Sequence, residues 1–122
     1  MSREMKTPGP DHPITVEKNP ARVTVRVGDQ VVADTTAALV LQESNYPAVQ
    51  YIPLADVDPA HIRATDTTTY CPFKGDASYY TLVTKDGEHT DAVWTYRTPY
   101  PAVAEIADHV AFYPNKVEIT QS

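Results

Sequence analysis

The sequence predicts an all-β domain, two small antiparallel sheets leaning together with one short helix. Three observations point that way. Apolar residues recur at every second position in several runs, tight-turn pairs stand between those runs, and proline repeatedly interrupts any longer helical period.

The elements follow in order. Val23, Val25 and Val27 alternate with Thr24 and Arg26, the period of a half-buried strand. Gly28-Asp29 supplies a tight turn, and residues 30–34 return as the partner strand of a hairpin. Residues 39–42 and 49–52 are short apolar runs separated by Asn45-Tyr46-Pro47, too short for helices and suited to strands. Pro53 and Pro59 bracket residues 54–58, which leaves room for one helical turn or a loop. Residues 77–85 form an aromatic and β-branched strand, Asp86-Gly87 a second hairpin turn, and residues 92–97 the return strand. Alternation puts Tyr79 on one face and Tyr80 on the other, and sets Trp94 and Tyr96 on a common face. Residues 101–108 are the one helical candidate, with Pro101 in the first turn and Val103, Ile106 and Ala107 on one side. Residues 110–113 and 116–120 close the chain as strands. Residues 1–19 are polar, carry Pro8, Pro10 and Pro13, and lack apolar periodicity. They are expected as an extended or mobile leader ahead of a single domain over 20–122.

Composition narrows the function classes. With 42% hydrophobic and 21% charged residues in 122, the chain is of ordinary globular make-up and large enough to bury a core. A net charge of -6 without a basic stripe argues against nucleic acid as a partner. No apolar run resembles a membrane span or a signal peptide, so a membrane partner is not expected and a cytoplasmic location is. Cys71 is the only cysteine, which rules out an intrachain disulfide and four-cysteine zinc sites, and the four histidines lack metal-ligand spacing. No metal or cofactor is expected. Homo-oligomerisation is left open.

Chemistry concentrates in residues 68–80, where the cysteine, a cation, a glycine, a carboxylate and several aromatics crowd together. Cys71-Pro72 restricts the backbone, because proline locks its own φ and steers the preceding residue away from helix. Gly75 permits a conformation closed to other residues or a close approach by a ligand. Lys74 and Asp76 flank it as an anion-binding cation and an orienting carboxylate. The plainer alternative makes Gly75 a turn residue and the two charges solvated. It is not a phosphate-cradling loop, since the leading glycine and the following Ser or Thr are absent. Cys71 is a nucleophile candidate if a cation or histidine lowers its pKa, and otherwise a buried structural thiol. Tyr79, Trp94 and Tyr96 are placed to form an aromatic wall for a planar or cationic group, with cross-strand packing as the structural alternative.

Taken together, Val31-Val32-Ala33-Asp34, Tyr51-Ile52-Pro53, Thr68-x-Tyr70-Cys71-Pro72-x-Lys74-Gly75-x-Ala77-x-Tyr79, Trp94-x-Tyr96 and Val110-Ala111-Phe112-Tyr113 resemble the bacterial and fungal family called domain of unknown function 427. The resemblance spans about residues 20–120 and implies a β-tent fold, in which two antiparallel sheets lean together at one edge. It implies no reaction. The label nucleotidyltransferase-like attached to that family calls for a Gly-Ser element and paired carboxylates, and no Gly-Ser element precedes Asp56-Val57-Asp58.

Three functions stay open at this level. The first is a small-molecule binding module, with Tyr79, Trp94 and Tyr96 as wall and Lys74, Gly75 and Asp76 as polar anchor. The second is an enzyme acting on a small polar or nucleotide-like substrate through Cys71 or Lys74 as the catalytic candidates. The third is a structural or interaction domain.

Overall fold

The computed structural model describes residues 5–122, and the first four residues of the expected leader lie outside it. Alternating apolar residues build strands β1 (Ile14–Lys18), β2 (Val23–Val27), β3 (Gln30–Thr35), β4 (Leu39–Glu43), β5 (Val49–Pro53), β6 (Ile62–Cys71), β7 (Gly75–Thr84), β8 (Gly87–Thr95), β9 (His109–Phe112) and β10 (Glu118–Gln121). They form two antiparallel sheets. The larger has seven strands in the order β1-β4-β5-β9-β8-β7-β6, and the smaller has three in the order β10-β2-β3. The all-β, two-sheet expectation therefore stands, although one sheet is larger than expected.

Four elements differ from the sequence reading, each for a physical reason. Residues 14–18 of the expected leader form β1, because Ile14 and Val16 find an apolar surface beside β4, with Ile14 opposite Glu43 and Val16 opposite Leu41. Residues 62–71 form a long strand despite their polar, threonine-rich sequence. β6 lies at the sheet edge, where both faces tolerate polar side chains, and threonine suits extended backbone. The helical candidate is two 3-10 turns over Pro101–Ile106, broken where Val103 leaves helical geometry (φ -129°, ψ 29°) to bury its side chain. The β7–β8 turn sits at Lys85-Asp86, one residue earlier than expected, since Thr84 pairs with Gly87. The Gly28-Asp29 hairpin, with Val27 opposite Gln30, is as the sequence predicts. Two further 3-10 turns, Leu54–Asp56 and Pro59–His61, occupy the proline-bracketed segment and its continuation. Among the described residues no helix is long and apolar enough to cross a membrane.

The larger sheet is apolar on both faces. On one, Ile52, Leu82, Val93, Val110 and Phe112 pack against Val23, Val25, Val32 and Ala33 of the smaller sheet. On the other, Leu41, Tyr51, Ala77, Tyr96 and Ala111 meet Val103 and Ile106 of the 3-10 turns. Those turns lie near β1 and cover only part of this second face.

Candidate functional site

The period of two decides what reaches the uncovered part. Leu39, Leu41 and Glu43 of β4, Val49 and Tyr51 of β5, Ala77 and Tyr79 of β7, and Ala111 of β9 with Tyr113 beyond it share that face. So do Trp94 of β8 and Tyr96 just past its end. Since β4, β5, β9, β8 and β7 are consecutive neighbours, all of these side chains but those of Leu39, Ala77 and Ala111 converge on one cleft of about 390 Å³. Tyr79 and Trp94 are direct cross-strand partners. Tyr46 and Pro47 from the β4–β5 connection complete the rim.

Lys74 enters from the β6–β7 hairpin. Lys74 N–H donates to the Cys71 carbonyl at 3.2 Å, closing a turn with Pro72 at the position that suits its fixed φ. Gly75 follows at φ 107°, a backbone state L side chains rarely adopt. The Lys74 carbonyl accepts from Tyr100 N–H at 3.0 Å, so the loop is anchored on both sides. This aims the Lys74 ammonium into the cleft, 5.9 Å from the centroid of the Tyr96 ring.

Glu43 receives that ammonium as an ion pair. Its other oxygen accepts from His12 Nε2 at 2.8 Å, and the imidazole stacks on Phe73 with centroids 4.1 Å apart. The side chains of Lys74 and Glu43 are only 13% and 14% exposed, so their pairing is little screened by water. Burial pushes the Glu43 carboxyl up, but hydrogen bonds from Lys74 and His12 outweigh it and hold the group below its ordinary value. The leader thus contributes His12 to the site's ionic end. Lys6 N–H also donates to the Pro72 carbonyl at 2.8 Å.

The walls are aromatic. Trp94 packs against Tyr113 at 4.7 Å between centroids and meets Tyr51 edge-on at 6.5 Å, with its indole N–H donating to the Tyr51 hydroxyl at 3.2 Å. The Tyr79 hydroxyl is paired with that of Thr69 at 2.8 Å. Burial raises the Tyr51 phenol to about 12 and raises that of Tyr96 as well. Burial and then the neighbouring Tyr79 raise that of Tyr113. These hydroxyls therefore keep their protons at neutral pH and act as hydrogen-bonding groups, not as bases.

Of the residues singled out in the sequence, Lys74, Tyr79, Trp94 and Tyr96 come together in the cleft. Gly75 shapes the hairpin beneath it. Asp76 lies elsewhere: it is exposed and, one residue out of phase with Ala77 and Tyr79, belongs to the opposite face of β7. The carboxylate beside Lys74 is Glu43. Cys71 is partly buried against the apolar cluster and does not line the cleft. Among the described residues no histidine ring is paired with it: His12 binds Glu43, His61 the Val83 carbonyl, and His109 the Ala107 carbonyl. Asp56 and Asp58 are held apart by the buried Val57, Asp56 accepting from Thr35 and Asp58 from Ala60 N–H. No group of three potential metal ligands occurs among the described residues.

Glu43, His12, Tyr51 and Tyr113 carry the site without having been assigned to it. Glu43 had a signal, since it extends the Leu39, Leu41 alternation by one step onto the same face. His12 had none, as its approach depends on the path of the segment before β1.

Fold and cleft define a two-sheet, all-β protein with an aromatic-walled cavity closed at one end by an ion pair. The chain belongs to the family described as domain of unknown function (DUF427), whose model matches residues 15–122. No curated protein matches the sequence.

Proposed function

We propose that the protein is a small-molecule binding module whose ligand occupies the cleft between Trp94, Tyr113 and the Glu43–Lys74 pair. One observation carries the reading: four neighbouring strands, β5, β9, β8 and β7, direct aromatic side chains from within or just past their ends, and a hairpin directs a cation, into one concavity on an otherwise packed sheet. Its volume of about 390 Å³ and its apolar lining with few convergent polar groups match small-ligand sites. The cytoplasm is the setting we infer, supported by the free thiol of Cys71. The net charge of -6 favours a small ligand over nucleic acid.

A thermal-shift screen of nucleosides, nucleotides and cyclic imides tests the reading, repeated on Trp94→Ala and Lys74→Ala. Stabilisation of the parent protein that is lost in both variants is the expected result. Hits that persist unchanged in both would place binding elsewhere and end the proposal.

A further inference from the structure

The polar groups of the cleft are uneven in kind. Glu43, the one carboxylate among the described residues that line it, commits both oxygens within the protein, one to Lys74 and one to His12. Tyr51 accepts the Trp94 N–H, which leaves its own hydroxyl proton to be donated. Tyr96 lines the cleft, and its hydroxyl makes no hydrogen bond to another described residue. Since no fully buried side-chain polar atom among the described residues lacks a partner, that hydroxyl opens onto the cavity. Lys74 has three N–H donors, of which Glu43 takes one. What the cleft offers a ligand is therefore a set of donors from Lys74, Tyr51 and Tyr96 beside the rings of Trp94 and Tyr113.

We propose that the ligand is an uncharged planar ring bearing a carbonyl oxygen, the ring lying against Trp94 and Tyr113 and the oxygen taking donors from Lys74, Tyr51 and Tyr96. This rests on the reading of the cleft as a binding site. Three ligand chemistries compete for an aromatic cavity, and the polar end separates them. A cation is attracted to ring faces, but it meets the Lys74 ammonium, and the Glu43 carboxylate that could balance it is already committed to Lys74 and His12. An anion meets Lys74, but Glu43 already balances that charge. The burial that raises the Tyr51 phenol would also penalise a second carboxylate beside it. A neutral carbonyl takes the donors without bringing a charge into a desolvated space.

Four ring-matched probes test the class on the full chain: benzamide, benzoate, benzylammonium and toluene. The readout is the indole N–H resonance of Trp94, the only tryptophan, followed through millimolar titrations. Benzamide is expected to bind most tightly. Tyr96→Phe should weaken it about fivefold to tenfold, the worth of one hydrogen bond, and leave toluene unchanged. Because the Tyr96 hydroxyl hydrogen-bonds to no other described residue, that variant keeps the fold. Tyr51→Phe should act in the same direction, with a change in the Trp94 resonance of its own. Tighter binding of benzoate or benzylammonium, or toluene matching benzamide, overturns the ligand class while leaving a binding cleft in place. If none of the four moves the Trp94 resonance, both this proposal and the binding-module reading fall.

Discussion

The two faces of the seven-stranded sheet are made by the same strands and the same alternation, yet they end differently. One face is closed by a second sheet, so Val93, Val110, Leu82 and Ile52 meet valines across an apolar interior. The other receives only the 3-10 turns of residues 101–106, and beyond their reach the apolar lining gives way to tyrosines, a tryptophan and an ion pair. Completing a core and stopping short of one call for different side chains. Valine and leucine suit full burial, whereas tyrosine and tryptophan suit a wall that is apolar on one side and hydrogen-bonded on the other. The contrast teaches that the cleft is a core left open in a defined place.

Breaking the closed face should cost the most. Leu82→Ala removes a fully buried side chain and should destabilise the fold by about 3 kcal/mol, measured by urea unfolding. The Trp94 resonance should stay close to its place in the residual folded population. A loss below about 1 kcal/mol would mean that this face is not tightly packed.

On the open face, the largest effect belongs to the ion pair. Glu43→Gln leaves Lys74 part-buried without its counter-charge and should cost about 2 kcal/mol. Lys74→Met should cost less, because His12 still satisfies Glu43. The double variant Glu43→Gln/Lys74→Met should be less destabilised than the sum of its singles, as a thermodynamic cycle would show. Equal and additive single costs would argue that the pair is solvated like those on the surface.

The same carboxylate gives a pH signature. Its folded pKa lies below its unfolded one of about 4.3, so its stabilisation is complete above that value and is lost as pH falls through the folded value. The gap in Tm between the parent protein and Glu43→Gln should therefore be constant near neutrality and close in acid. A gap that persists in strong acid would mean that packing, not charge, accounts for it. Smallest of all, Asp29→Asn breaks the exposed pair with Lys85 and should leave Tm unchanged. A measurable loss there would blur the distinction between buried and surface charge.

Much of this was legible from residues alone. The Val23, Val25, Val27 period and the Gly28-Asp29 turn define a hairpin locally, so no distant partner was needed to see it. Tyr79, Trp94 and Tyr96 could be assigned to a wall because alternation and a nearby hairpin turn place them together. Asp76 was grouped with Lys74 by adjacency, although the alternation through Ala77 and Tyr79 sends it to the other face. β6 was unreadable because a polar edge strand carries no apolar period, and β1 because its apolar residues are too few to stand out among prolines.

The sequence by itself determined the strand periods, the Gly28-Asp29 hairpin and the restricted backbone at Cys71-Pro72, since these depend on backbone sterics and on residues close in the chain. Only the tertiary structure decided that Glu43 and not Asp76 faces Lys74, that His12 closes the far side of that pair, and that tyrosines from separate strands meet over one floor. Strand order is the reason. β4, β5, β9, β8 and β7 become neighbours through pairings between distant segments, and no local pattern encodes which strand lies beside which.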